Sequence, residues 1–382
     1  MRLFDFIMNT RIIAGSNAIL RLPSLIKERW RIEKILLVSD KGILQAGLID
    51  KVFAVLGDFR VVIYDSVPQD SSLDVVNEVS EIYRRENCQL VIALGGGSVI
   101  DTAKGVCVVV DSNRKIQELQ GVDVIQERRV PFVVIPTTCG TGSEVTKFAV
   151  IEDRSAKRKL AFTSSSLIAD LVILDPTFVE NMPLPLMAQT TMDSLTHAVE
   201  AYTSINKNPV TDTFSLVAIK LIFLNIKDAC EGKREARFNL LVASTLSGVA
   251  FSNSMVGMVH AIAHALGGVS GVPHGLANAI ILPYVIKFNM KRSENAIKLY
   301  EDITKYLKLF MDIKEKDFFE ILNSLLTYLN RKANLPLRLR DVGVKKEDLE
   351  KIAKASLLDG SSLFNIVSFD EKDVVDLLLE AF

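Results

Sequence analysis

The sequence predicts an α/β domain built on a parallel sheet, followed by an all-helical domain, with the change-over near Pro183. Three observations lead there. Short apolar runs rich in β-branched residues alternate with helix-spaced segments through the first half of the chain. That alternation stops after Leu174. Beyond a hinge rich in proline the spacing is helical almost throughout.

The apolar runs are Ile35–Val38, Val61–Tyr64, Leu90–Leu94, Phe132–Ile135 and Leu171–Leu174. They are continuous rather than alternating, as expected of strands covered on both faces. Leu73–Arg85 lies between two of them and has helical spacing. Lys147–Glu152 and Lys159–Thr163, separated by a charged turn, predict a small antiparallel hairpin inserted in the sheet. Asp175-Pro176 and Met182-Pro183-Leu184-Pro185 form the hinge, so the domains are expected at residues 1–183 and 184–382. Helices are expected over Leu186–Thr203, Phe238–Gly248, Ser254–Leu266, Leu276–Asn289 and Asp317–Asn330. The charge-rich tail after Lys287 reads as amphipathic surface helices.

A chain of 382 residues exceeds one ordinary core, which agrees with two domains. Its 45 basic and 46 acidic residues are mixed along the chain, which argues against a nucleic-acid partner. Cys88, Cys107, Cys139 and Cys230 form no CxxC pair. That pattern suits neither a disulfide framework nor a zinc knuckle, and it fits the reducing cytoplasm. No apolar run of signal-peptide length opens the sequence, so no export signal is read.

Between Arg237 and Lys287 there is no formally charged side chain, and a membrane span is the first idea to test. Asn253, Gly257, Gly267, Gly268, Gly271, Pro273 and Asn278 interrupt the stretch, and it holds three histidines, which are costly in lipid. Buried helices wrapped around a polar site explain it better, and no membrane partner is expected.

Two loops carry the signal for a phosphate. Leu90–Leu94 runs into Gly95-Gly96-Gly97-Ser98 and then a helical segment, Val99–Val110. Strand, glycine turn and helix together aim backbone N–H groups and a helix N-terminus at an anion, and a Cβ would hold the anion away. The run is not GxGxxG. Phe132–Ile135 is followed by Pro136-Thr137-Thr138-Cys139-Gly140-Thr141-Gly142-Ser143, a second strand ending in small and hydroxyl residues. Two such loops at the ends of parallel strands describe a nucleotide crevice. Asp40, just after Ile35–Val38, could accept from an adenosine ribose and would repel a 2′-phosphate, favouring NAD over NADP. A plain turn aspartate reads equally well there.

The four histidines are His197, His260, His264 and His274. Asp193 and His197 stand four apart in a helical pattern, so they share a face, and His260 and His264 repeat the spacing. His274 follows a glycine-rich bend, Gly267–Pro273, that can turn the chain back. Each feature alone has an ordinary explanation: a capping pair, or a core histidine with its bonds satisfied. Their concentration in a stretch without compensating charge favours a divalent metal. Carboxylate and imidazole ligands suit Fe(II), Zn(II), Ni(II), Co(II) or Mn(II). A metal on a substrate oxygen activates an alcohol or carbonyl, and a nicotinamide would carry the hydride.

Read in order, the motifs are Gly95-Gly96-Gly97-Ser98-x-x-Asp101-x-x-Lys104, Pro136-Thr137-Thr138-x-Gly140-Thr141-Gly142-Ser143-Glu144-Val145-Thr146 and Asp193-x-x-x-His197-x-x-Glu200. Gly257-x-x-His260-x-x-x-His264-x-x-Gly267-Gly268 and His274-Gly275-x-x-Asn278 complete them. With these the chain resembles the iron-containing (group III) alcohol dehydrogenases, from its N-terminus to about Leu282. The resemblance implies a Rossmann-like dinucleotide domain, a helical metal domain, and catalysis in the cleft between them. It implies Asp193, His197, His260 and His274 as ligands of a divalent metal, commonly iron and sometimes zinc. His264 matches a histidine near the nicotinamide, with a proton-relay or positioning role. Asp40, Gly96, Gly97, Ser98, Thr137, Thr138 and Thr141 match NAD contacts, and Lys159 is a further one. Phe148 and Phe251 match apolar positions lining the substrate pocket. A homodimer is expected on the same ground.

The expected activity is hydride transfer between a short unbranched primary alcohol or its aldehyde and NAD(H). A lyase of the dehydroquinate-synthase type is the direct rival; its two-histidine ligand set fits the run His260, His264, His274 less well. A hydroxyacid–oxoacid transhydrogenase and a non-catalytic nucleotide sensor are the others. Three departures stand out: Cys139 where alanine is common, Val99 for a frequent proline, and Phe364-Asn365-Ile366-Val367 in place of an Asn-Pro-Arg segment. The last is expected to lie far from the chemistry.

Overall fold

The computed structural model describes residues 3–112, 114–125, 128, 130–155 and 158–382. Its contacts divide into two compact units: Ile7–Met182, and Pro183–Phe382 together with the first residues through Phe6. The domain limits expected from the hinge put those first residues with the sheet; the Phe6 ring instead stacks on Phe214, 6.0 Å between centroids.

Among the described residues the first unit holds nine strands: β1 (Arg11–Ala14), β2 (Lys34–Val38), β3 (Arg60–Tyr64), β4 (Leu90–Gly95), β5 (Gly121–Val122), β6 (Phe132–Pro136), β7 (Phe148–Asp153), β8 (Arg158–Thr163) and β9 (Leu171–Leu174). Between them run α1 (Leu22–Arg29), α2 (Lys41–Gln45), α3 (Leu48–Val55), α4 (Leu73–Arg85) and α5 (Gly97–Ser112). Six strands pair in parallel in the order β1-β9-β6-β4-β2-β3. The central strands β4 and β6 are buried at every position, as a sheet covered on both faces requires.

The chain leaves β2 toward β3, returns to lay β4 on the other side of β2, and continues outward through β6 and β9. The order therefore reverses between β2 and β4. A ligand crevice forms beyond the carboxyl ends of strands at such a point. Asp40 follows β2 and the glycine turn closes β4, and Ser39 Oγ donates to the Leu94 carbonyl at 2.7 Å, tying the two ends together.

The hairpin differs from expectation. β7 and β8 pair antiparallel, but with β5 they form a separate three-stranded sheet rather than joining the main one.

The second unit is helical: α6 (Leu184–Thr203), α7 (Pro209–Cys230), α8 (Arg234–Ser254), α9 (Met258–Ser270), α10 (His274–Arg292), α11 (Glu294–Lys308), α12 (Phe318–Ala333), α13 (Leu349–Leu357) and α14 (Glu371–Ala381). The charge-free stretch spans most of α8, all of α9 and most of α10. It is not one span: α8 and α9 meet at 103°, across Met255 at φ 69°. α9 also begins at Met258, not Ser254, and continues through Gly267 and Gly268 to Ser270. The expected glycine-rich bend shortens to Gly271–Pro273, where Gly271 takes the left-handed conformation. α7 is long and apolar enough to cross a membrane by length and composition, and it packs along α6 and α8.

Candidate metal centre and cofactor loops

α6 presents Asp193 and His197 one turn apart on its buried face, α9 presents His260, and His274 opens α10. One ligand atom from each of the four lies within 4.8 Å of all the others. Asp193 Oδ1 is 3.8 Å from His197 Nδ1, 3.7 Å from His260 Nε2 and 3.4 Å from His274 Nε2. A tetrahedral ion with bonds near 2.1 Å sets its ligand atoms about 3.4 Å apart, so the cluster is close to ligand spacing.

Glycine makes the approach of α10 to α6 possible. A Cβ on Gly275 would lie 2.5 Å from the Gln189 carbonyl oxygen and 3.4 Å from Asp193 Cβ. Backbone thus packs on backbone beside two of the four side chains.

Carboxylates orient the imidazoles. Glu200, one turn beyond His197 on the same buried face, receives His260 Nδ1 at 2.6 Å. The same carboxylate accepts from Gly257 N at 2.9 Å and Val259 N at 2.6 Å, at the N-terminus of α9, where negative charge is favoured. With Nδ1 bonded to Glu200, His260 turns its Nε2 into the cluster. Asn278 Nδ2 donates to Asp193 Oδ1 at 2.7 Å and stands 3.3 Å from Nε2 of both His260 and His274. Asp193 Oδ1 and the Nε2 atoms of His260 and His274 thus converge on one region, and the donor set fits a divalent metal.

The electrostatics follow from burial and proximity. Burial alone would raise the Asp193 pKa, yet the charges of His197 and His274 and the bond and charge of His260 hold it well below the usual carboxylate range. Burial disfavours charge on His260, but hydrogen bonds and charges from Asp193 and Glu200 push it up to about 9. His274 is held well below its ordinary value, first by burial and then by the other three imidazoles, against the pull of Asp193.

Phe251 on α8 stacks on His197, 4.2 Å between centroids and 12° between planes, so an apolar face borders the cluster. Phe148 lies in the other unit, on β7, where its carbonyl receives Lys104 Nζ at 2.6 Å. His264 is beside the four rather than among them: it stacks on His274 at 5.1 Å and meets His260 edge-on at 6.0 Å.

In the sheet unit the two loops pack together. Thr137 N donates to the Gly95 carbonyl at 3.1 Å. A Cβ on Gly96 would meet Thr138 Cγ2 at 3.1 Å, and one on Gly97 would meet Thr141 Cγ2 at 2.8 Å. Val99, the departure from proline, fills the space beside Gly95, 2.6 Å from where a Cβ would be. The glycines thus bring the two loops together at the N-terminus of α5, and beside them Thr137 Oγ1 is buried without a hydrogen-bond partner among the described residues. Both features fit a dinucleotide phosphate.

Asp40 uses Oδ1 to cap α2, receiving Ile43 N at 3.0 Å. Lys159 pairs with Asp70 at 2.8 Å, and Asp70 N donates to Ser98 Oγ at 3.1 Å, so the expected contacts Lys159 and Ser98 are linked through Asp70.

The motif residues Asp101 and Lys104 brace the second loop from α5. Asp101 accepts from Ser143 Oγ at 2.7 Å and Val150 N at 2.9 Å. Lys104 Nζ donates to the Thr146 carbonyl at 2.9 Å, to Thr146 Oγ1 at 3.0 Å and to the Phe148 carbonyl. Burial pulls the Lys104 pKa down to about 8 against the charges of Asp101 and Glu144.

Sequence reasoning assigned no role to Glu200 or Asn278, although 193, 197 and 200 share a helical face, and it missed Asp359, which lies 95 residues from its partner His264. It also misjudged the departure at 364–367. Asn365 Oδ1 accepts from Met258 N at 3.4 Å and lies 3.0 Å from where a Gly257 Cβ would be. This segment caps the helix that carries His260.

Two family models cover the chain: "Iron-containing alcohol dehydrogenase" over residues 9–176 and "Fe-containing alcohol dehydrogenase family, C-terminal" over residues 187–382. A 1,3-propanediol dehydrogenase of Citrobacter freundii is 34% identical over all of this chain and 99% of its own. An NADPH-dependent butanol dehydrogenase of Clostridium saccharobutylicum is 35% identical over 83% of this chain and 82% of its own. A solved structure of a 1,3-propanediol oxidoreductase superposes with a TM-score of 0.92 at 34% identity, covering 100% of both chains.

Proposed function

The chain belongs to the iron-containing alcohol dehydrogenase family, and we propose that it interconverts short unbranched primary alcohols and their aldehydes with NAD(H) and Fe(II). It is a metal-dependent alcohol/aldehyde oxidoreductase, and a divalent metal and a nicotinamide cofactor go with the family. The observation that carries the reading is the convergence of Asp193, His197, His260 and His274 from three helices within 4.8 Å.

When bound, the metal supplies the positive charge that activates an alcohol O–H or a carbonyl, and the nicotinamide accepts or gives the hydride. Asp193, His197, His260 and His274 would hold the ion, with Glu200 fixing the His260 ring. Phe251 keeps an apolar face against His197 and suits an alkyl chain. Gly96, Gly97 and the N-terminus of α5 would receive the diphosphate, with Thr137, Thr138 and Thr141 beside it.

One relative is named for NADPH, so family membership leaves the dinucleotide open. Asp40 supports NAD, because a carboxylate beyond β2 repels a 2′-phosphate. Three imidazoles and one carboxylate admit Fe(II) and Zn(II) alike, and the family match supports Fe(II). The relatives named for propanediol and butanol support a substrate of three or four carbons. We further propose a cytoplasmic homodimer with neither nucleic acid nor membrane as partner; four free, buried cysteines suit that compartment.

The test is elemental analysis of anaerobically purified protein together with absorbance at the reduced-nicotinamide band. Iron with turnover of propanol and butanol on NAD is the expected result. Glycerol turned over far better than either would remove the substrate assignment, and turnover of no alcohol or aldehyde would remove the reaction.

A further inference from the structure

One acid–imidazole pair beside the metal centre takes no part in holding an ion. His264 sits one turn beyond His260 on α9, its ring parallel to that of His274. Its Nδ1 is 2.8 Å from Asp359 Oδ2. Asp359 lies between α13 and a short turn, Gly360–Phe364, and is itself fixed. Its other oxygen, Oδ1, accepts from Ser361 N at 2.8 Å, its carbonyl accepts from Ser362 N at 3.1 Å, and its own N donates to the Ser356 carbonyl at 3.2 Å. The two carboxylate oxygens thus act separately, one capping the turn and the other receiving the imidazole.

We propose that Asp359 is a positioning residue for the alcohol–aldehyde reaction, acting through His264. An unattached imidazole can flip about its last torsion and carry its proton on either nitrogen. A fixed carboxylate at Nδ1 removes both freedoms, leaving Nε2 as the acceptor in one orientation. Glu200 does the same for His260, so two acids drawn from different parts of the helical unit set two rings of one cluster. The inference rests on the alcohol dehydrogenase reading above.

The alternative is that Asp359 only caps its turn. Asp359→Ser separates the two, because serine caps a helix start about as well as aspartate but is too short to reach His264. The variant is made in the wild-type chain and in His264→Ala. Metal content, thermal midpoint, kcat and KM are measured on metal-loaded protein with propanol and NAD.

The expected result is a kcat lower by roughly 10–100-fold in Asp359→Ser, with KM changed by less than about three-fold. Metal content stays at the wild-type value, and the thermal midpoint falls by no more than one lost hydrogen bond accounts for. In the His264→Ala background Asp359→Ser lowers kcat no further, because the partner through which it acts is gone. Wild-type kcat in Asp359→Ser, the same loss repeated without His264, or loss of metal would each overturn the proposal. Failure of the underlying reading looks different: the wild-type protein itself would oxidise no alcohol.

Discussion

Glu200→Gln removes one charge and one acceptor from the most heavily used carboxylate of the metal centre and changes almost nothing in shape. Oε2 accepts from His260 Nδ1 at 2.6 Å and Gly257 N at 2.9 Å, and Oε1 from Val259 N at 2.6 Å. A glutamine has one carbonyl oxygen. In its better orientation that oxygen keeps His260 and Gly257, and the amide nitrogen then faces the Val259 N–H. A buried donor left unmet costs about 1–3 kcal/mol, and each of the two surviving bonds loses about 1 kcal/mol with its charge assistance. The N-terminus of α9 also loses its counter-charge. Unfolding stability of the metal-free variant should therefore fall by about 3–5 kcal/mol, read by urea titration. The ring that Glu200 orients should bind metal roughly 10–100-fold more weakly, about 1.4–2.8 kcal/mol, read by competition with a chelator. Wild-type stability and metal affinity in Glu200→Gln would refute the reasoning.

Asp40→Gly should let NADP compete with NAD, because the carboxylate that repels a 2′-phosphate is gone; an unchanged ratio of kcat/KM for the two cofactors would take Asp40 out of the account. The α2 cap goes with it, at a cost of a few tenths of a kcal/mol. Lys104 gives a pH signature. Its pKa falls from 10.5 to about 8 on folding, so between those values the unfolded chain binds more protons and stability rises with pH. The stability of wild type minus that of Lys104→Met should grow from pH 8 toward pH 10, by up to roughly 3 kcal/mol. A difference that stays flat or shrinks would contradict the burial of that amine.

Much of the fold was legible because parallel strands covered on both faces leave continuous apolar runs. All five runs read that way became strands of the main sheet, and Leu73–Arg85 became α4. What escaped has physical reasons. β1 is four residues at the sheet edge, and β5 is two residues with no period to detect. The hairpin itself was visible, but its pairing with β5 instead of the main sheet is a tertiary choice that alternation does not encode. Gly267 and Gly268 looked like a bend because glycine weakens helices; packing carried α9 through them to Ser270.

At the site, the i, i+4 pairs marked the helices that bear Asp193, His197 and His260. The acids that orient the rings were harder. Glu200 and His260 are 60 residues apart and His264 and Asp359 are 95 apart, and no spacing rule connects them. Asn365 shows the same blindness in reverse: far along the chain from His260, it caps the helix that carries it.

The central claim is that Asp193, His197, His260 and His274 form one metal site and that the dinucleotide is held elsewhere, by the loops of the sheet unit. Metal stoichiometry and NAD affinity measured side by side on wild type and His260→Ala test it most directly. The account expects a single divalent ion per wild-type chain, its loss in His260→Ala, and NAD binding that survives the substitution. Metal retained by His260→Ala, or NAD binding that disappears with the metal, would contradict it.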